Sequence, residues 1–252
     1  MAILELILIV LLGITSGLMI GCVGIGGVIL VPALVFLAGV PIQISIPAAM
    51  MAYILSGFVA TAVFARNKSI RWGTAAWLSA GATPTAFAGA WAVSVVNPQL
   101  LEACLGLLTF FSGLNALKTQ TATDMPERVV SNTGLFVVGA VTGFLSSISG
   151  TGGPLVLVPI IISMGMPVLV AVGLSQVIQV PVALAATFGN ILYGKVDWVL
   201  GGVLAAALTV GSWYGAKLAH VVPRVTLRRI VSVVLVVVGG FILGNVIWRL
   251  AR

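Results

Sequence analysis

Followed from end to end, the chain is a series of long apolar runs with short polar punctuation. No Asp, Glu, Lys or Arg occurs from Leu6 to Ala65, Trp72 to Leu101, Ala103 to Leu117, Val129 to Gly194, Trp198 to Ala216 or Ile230 to Trp248. A membrane-spanning helix takes about 20 apolar residues, so the two longest runs must cross more than once or fold back. Glycine, proline and the polar breaks divide them into helices expected at about 2–22, 26–39, 42–65, 73–95, 99–117, 130–148, 154–165, 168–192, 198–220 and 227–248. The second and seventh are too short for a full crossing and read as half-helices or re-entrant arms. The expectation is an all-α, multi-pass membrane helical bundle of about eight to ten segments.

The one linker of any length is the polar stretch from Lys118 to Arg128, with Thr119, Gln120, Thr121, Thr123, Asp124 and Pro126. It divides the chain into an N-terminal membrane repeat, 1–117, a linker, 118–129, and a C-terminal membrane repeat, 130–252. The two parts are copies. A constant shift of 126 positions carries Gly17 onto Gly143, Gly24 onto Gly150, Gly26 onto Gly152 and Gly27 onto Gly153. The same shift carries Gly39 onto Gly165, Pro41 onto Pro167, Thr61 onto Thr187, Trp72 onto Trp198, Gly89 onto Gly215 and Gly113 onto Gly239. Gly and Ala recur by chance in such a chain. Pro and Trp held in one ungapped register indicate a duplicated unit of five segments.

Composition strengthens this picture. Of 252 residues 60% are hydrophobic and 7% charged, against about 25% charged in soluble domains. The short alternating segments of a β-barrel are absent. The net charge of +7 reads as loop residues that set orientation, so no nucleic-acid partner is expected. Residues 2–21 lack a basic leader and a cleavage site and read as a retained helix. Cys22 and Cys104 suggest neither a disulfide framework nor a metal site.

Orientation follows from where the basic residues fall. Arg66, Lys68 and Arg71 mark the loop between the third and fourth segments as cytoplasmic, whereas the next loop, around Asn97-Pro98, has only Glu102 nearby. In the second half the bias moves to the following loop: Lys195 is offset by Asp197, and Lys217, Arg224, Arg228 and Arg229 come after. The positive-inside rule then predicts opposite orientations, hence two inverted repeats, a cytoplasmic linker and external termini. Arg249 and Arg252 run against the trend.

The candidate chemistry sits at two matching interruptions, Gly24-Ile25-Gly26-Gly27 and Gly150-Thr151-Gly152-Gly153-Pro154. Each lets the backbone leave one helix and start another with bare amides, and helix N-termini attract anions without a basic side chain. Paired glycine-broken helices, one per half, point to the binding site of a transporter. Ser147, Ser149 and Thr151 add hydroxyl donors at the second break. Gln176 and Gln179 share a helical face, as ligand contacts or as interhelical glue. The other reading of the glycines is close helix packing. Asn190 reads as structural, Lys217 as a snorkelling side chain, His220 as interfacial, and Trp72, Trp77, Trp198 and Trp248 as headgroup-level anchors. Glu5, Glu102 and Asp197 all lie near span ends, away from mid-membrane coupling positions. With one histidine and no paired carboxylates, the chain lacks the materials of an intramembrane enzyme. No cofactor is expected.

The duplicated Gly-x-Gly-Gly breaks, Gly39-Val40-Pro41 echoed by Gly165-Met166-Pro167, and the Lys195-Val196-Asp197-Trp198 turn resemble the sulfite exporter TauE/SafE family over roughly residues 5–245. The resemblance implies a permease for sulfite, sulfonates or other small sulfur-containing or organic anions, in a fold of about eight spans. The partners it implies are a small anionic substrate and the lipid bilayer of a cell membrane, the inner one in bacteria. A homodimer is left open. Candidate substrate-binding residues are Gly24, Gly26, Gly27, Ser147, Ser149, Gly150, Thr151, Gly152, Gly153, Gln176 and Gln179.

Overall fold

The computed structural model of the chain describes residues 3–24, 27–118, 130–221, 233, 236–245 and 248. Gly26, the linker beyond Lys118, and Arg224, Arg228, Arg229, Arg249 and Arg252 lie outside these residues. No strand occurs among the described residues. The helices are α1 (Ile3–Val23), α2 (Gly27–Phe36), α3 (Ile42–Arg66), α4 (Trp72–Val95), α5 (Pro98–Lys118), α6 (Asn132–Ser149), α7 (Pro154–Ser163), α8 (Val168–Tyr193) and α9 (Trp198–Leu218). A tenth, α10, covers Val236–Asn245.

All ten expected segments are present, in part or whole. The short arms α2 and α7 end two or three residues before expected. Gly39 (φ 67°) and Gly165 (φ 82°) turn left-handed beyond them, and Pro41 and Pro167 then set the extended start of α3 and α8. Asp197 caps α9 by accepting from the Leu200 N–H at 2.9 Å, and Ser131 caps α6 through the Gly134 N–H at 3.1 Å.

Five helices, α1, α3, α6, α8 and α9, are long and apolar enough to cross a membrane. Large apolar side chains face outward even at mid-helix: Phe58 of α3 is 54% exposed and Phe188 of α8 is 57% exposed. In water such faces would be an aggregation hazard, whereas in lipid they are the ordinary surface. The chain is a multi-pass helical membrane protein.

Packing follows the 126-residue register. α1 packs chiefly on α9 and α6 on α4; α3 packs on α9 and α4 on α8; α3 and α8 meet each other. Each of the first two relations turns into its partner when the halves are exchanged. A Cβ at Gly17 would run into the Leu208 backbone, and at the shifted positions a Cβ at Gly143 would run into that of Ala82. A Cβ at Gly215 would strike Leu18, and one at Gly89 would strike Phe144 and Ser147. These are small-residue crossings, where the absent side chain lets two backbones touch.

Contact order along the helices gives their directions. Gly13, Gly17 and Gly21 meet Ala207, Leu208 and Ser212 in rising order, so α1 and α9 run parallel. By contrast, Gly173 at the start of α8 lies by Ser69 and Phe64 at the end of α3, and Gly57 lies by Val180. The equivalent helices α3 and α8 therefore run antiparallel. Two large hydrophobic cores result, toward opposite ends of the bundle, with a small third where Val28 and Leu155 of the short arms are buried. Ile9, Ile46, Ala90, Val93, Leu204 and Leu208 belong to one; their shifted equivalents Leu135, Val172, Ala216, Ala219, Leu78 and Ala82 belong to the other.

The crossings give a direct expectation. In Gly143→Ala the new methyl meets the Ala82 Cα at 2.7 Å and the Thr85 Oγ1 at 2.7 Å, so stability should fall by about 1–3 kcal/mol. Gly202 has nothing within 4 Å of its Cβ direction. Gly202→Ala should hold or raise stability by up to about 1 kcal/mol. Thermal unfolding of both variants in detergent checks the contrast.

Candidate functional site

At the second break Gly150 adopts φ 70°, ψ 22°, a left-handed C-terminal position that suits glycine. Its N–H and that of Thr151 both return to the Ser146 carbonyl. Gly152 (φ 77°) and Gly153 (φ 112°) carry the chain over to Pro154, which occupies the first helical turn, where its missing N–H leaves no gap. The first intrahelical bond of α7 runs from the Leu157 N–H to the Gly153 carbonyl at 3.2 Å. At the first break Gly24 has φ 79° and its N–H reaches the Ile20 carbonyl at 2.9 Å. Gly24 and Gly150, 126 apart, thus make the same turn.

The two breaks meet. A Cβ on Gly27 would strike the Thr151 carbonyl oxygen, and one on Gly24 would lie 3.4 Å from Pro154 and 3.3 Å from the Ser175 hydroxyl. The starts of α2 and α7 therefore converge in the interior, where Gly24, Gly27, Gly150, Thr151, Gly152 and Gly153 are all buried.

Glycine was expected here to let a ligand approach the backbone. Instead, protein atoms fill most of these spaces: Thr151 at Gly27, Val31 and Ile46 at Gly150, and the Tyr53 ring at Gly152, whose Cβ would lie 2.8 Å from the ring. Only Gly24 and Gly153 have looser surroundings, with Ile178 at 3.6 Å from the latter. In this conformation the breaks are occluded. Gly26 lies outside the described residues.

The other candidates divide into two groups. The Ser149 hydroxyl donates to the Leu145 carbonyl at 2.6 Å, so the 3.0 Å contact with Thr151 is a bond from Thr151 to Ser149. Both hydroxyls are spent locally, a common habit of Ser and Thr at helix ends. The Ser147 hydroxyl has no partner, and this residue lies against Gly89 of α4. Gln176 and Gln179 reach across to the first half. The Gln176 amide donates to the Ile20 carbonyl at 3.1 Å, capping the broken end of α1. The Gln179 amide donates to the Tyr53 carbonyl at 3.4 Å and to the Ser56 hydroxyl at 3.3 Å. Both nitrogens thus serve as interhelical glue here, while the Gln176 Oε1 is buried without a partner.

Tyr53 is the residue that sequence reasoning passed over. Fully buried in α3, it donates its hydroxyl to the Gly27 carbonyl at 3.2 Å and lays its ring on Gly152, so it touches both breaks. One signal was available: the 126-residue shift places it opposite Gln179, and these two equivalent residues bond each other across the centre. At the bundle's rim Lys217 rests 4.7 Å over the Trp213 ring, a cation–π contact. Trp72 and Trp198, equivalent positions, are equally exposed at 58%.

A bundle of apolar helices with two breaks converging at its centre is the architecture of a membrane transporter. Residues 9–242 match the sulfite exporter TauE/SafE family, and the chain belongs to that family. It is 22% identical to the probable membrane transporter protein YunE of Bacillus subtilis, over 94% of this chain and 96% of the relative. It is 24% identical to a probable membrane transporter protein of Methanocaldococcus jannaschii, over 95% of this chain and 96% of the relative. For YdhB of Bacillus subtilis, another probable membrane transporter protein, the identity is 24% over 88% and 93%. No solved structure matches the chain.

Removing the Tyr53 hydroxyl alone, in Tyr53→Phe, should lower stability by about 1 kcal/mol while the ring still covers Gly152. Gln176→Leu loses a bond of similar worth but also removes the unpaired Oε1, so its net change should be smaller. Denaturation midpoints of the two variants against the parent protein test this ordering.

Proposed function

We propose that the chain carries a small anion across the membrane by alternating access, with sulfite or an organosulfonate the leading substrate and another small organic or sulfur-containing anion the variant of the same reading. The observation that carries it is the convergence of two helix N-termini, α2 and α7, in a buried centre without a nearby basic residue in either break. Two positive dipole ends facing each other attract a negative guest. The anion would be held by the amides after Gly24 and Gly150, those of Gly26, Gly27, Gly152 and Gly153, and by the Ser147 hydroxyl; Ser149, Thr151, Gln176 and Gln179 would join only on leaving the bonds they make in this conformation.

The closed contact between Gly27 and Thr151 means that binding requires the halves to separate, as rocking of one repeat on the other does. Antiparallel packing of α3 on α8 supports inverted repeats, 1–117 and 130–252. The rings of Phe64 and His220, 5.2 Å apart, bring the end of α3 and the end of α9 to one face. Arg66, Lys68 and Lys217 lie near these ends, which supports a cytoplasmic assignment for that face and for the linker.

The test is counterflow of labelled sulfite, thiosulfate, taurine and sulfate in proteoliposomes. Gly27→Val and Gly152→Val should abolish flux while the protein still elutes as a single species. Persistent flux in both variants would sink the site, and currents far above carrier turnover in planar bilayers would point to a channel. Cysteines introduced at Ser69 and Asn97 should label from opposite sides of the membrane.

A further inference from the structure

Outside the two breaks, the side chain with the largest unmet demand is Asn190. It is wholly buried near the C-terminal end of α8, and neither its Nδ2 nor its Oδ1 has a hydrogen-bond partner among the described residues. One turn earlier on the same helical face the Thr187 hydroxyl is also buried and unpartnered. Buried amides and hydroxyls are almost always paired, and leaving one unpaired is destabilising. Two together, one turn apart, are therefore unlikely packing residues.

Neighbouring helices fix the level of this pair. Gly189 lies against Ala90 of α4, its Cβ direction 2.8 Å from the Ala90 Cβ, and the adjacent Gly89 lies 2.8 Å by the same measure from the Ser147 Cβ of α6. The unpartnered hydroxyls of Ser146 and Ser147 thus stand at the same height as Asn190, on the far side of α4 and just before the second break. The shifted equivalent of Asn190 is Phe64, buried under the His220 ring at 5.2 Å. At the matching height beside the first break the bundle is thus closed by an aromatic side chain.

We propose that Asn190 and Thr187 form a second station for a small oxyanion, at the level of the second break but across α4 from Ser147, toward the end of the bundle opposite Phe64 and His220. This rests on the anion-permease reading of the preceding subsection. The amide Nδ2 and the Thr187 hydroxyl donate to oxyanion oxygens, and Oδ1 accepts from a protonated one.

The experiment is counterflow of labelled sulfite and thiosulfate in proteoliposomes, with thermal melts of the same preparations, for the parent protein, Asn190→Leu and Asn190→Asp. Asn190→Leu keeps the shape and removes the unpaired groups, so its melting temperature should hold or rise while flux falls about tenfold or more. Asn190→Asp, which adds a like charge, should reduce flux further. In a Cys22→Ala/Cys104→Ala background, Asn190→Cys should react with a membrane-impermeant anionic thiol reagent from the side opposite the Ser69 loop, and sulfite should slow the reaction. Parent-like flux in Asn190→Leu would overturn the station and leave the central site standing. A lower melting temperature with parent-like flux per folded protein would return Asn190 to a packing role. A parent protein that moves none of the four solutes named above overturns both readings.

Discussion

A helix interrupted inside a bilayer exposes carbonyls and amides that lipid cannot satisfy, and everything at the centre of this protein answers to that constraint. The open end of α1 is met by Gln176, which reaches from the other half to the Ile20 carbonyl. Tyr53 ties α3 to the first turn of α2 through the Gly27 carbonyl. The end of α6 turns inward on itself, through the amides of Gly150 and Thr151. In two of the three cases the donor belongs to another helix, and in one of them, Gln176 on the Ile20 carbonyl, it comes from the other half.

The tightest packing in the bundle joins the two halves. Because α1 lies on α9 and α6 on α4, the first helix of each repeat is clamped by the other repeat, through crossings so close that a single methyl collides with backbone. These rigid pairs frame the softer contacts of the middle: long hydrogen bonds from Gln179 at 3.3 and 3.4 Å, and the short arms α2 and α7. Tight edges and a loosely bonded centre are the distribution expected where two bodies move against each other about a buried ligand.

Much of the fold was legible in the chain. The charge-free runs give the helices, Gly39-Val40-Pro41 and its copy give the ends of the arms, and one constant shift gives the pairing of halves, because the register of a duplication survives in Gly, Pro and Trp. The site was only half legible. Sequence marks where the backbone breaks, but it does not say what fills the space a glycine leaves. Gly152 was read as an approach for ligand, and the Tyr53 ring lies there. Ser149 and Thr151 were read as free donors, and they are bound to each other and to Leu145. Asn190 was read as structural, yet it has no partner. For Gly152 the deciding neighbour is far away in sequence, on another helix, and local pattern carries no trace of it; the bonds of Ser149 and Thr151 are local, the habit of hydroxyls at helix ends.

Tyr53 and Gln179 occupy one position of the repeat, as do Phe64 and Asn190. Two identical halves would make the conformations open to either side equal in energy, and a carrier so built would wait on both sides alike. Here an aromatic ring stands on one side of the pseudo-symmetry axis and an amide on the other, at two successive levels. On the alternating-access reading proposed above, these four side chains lift the degeneracy, and divergence of the copies at the axis would set the side on which the empty protein waits and the ease of its return stroke.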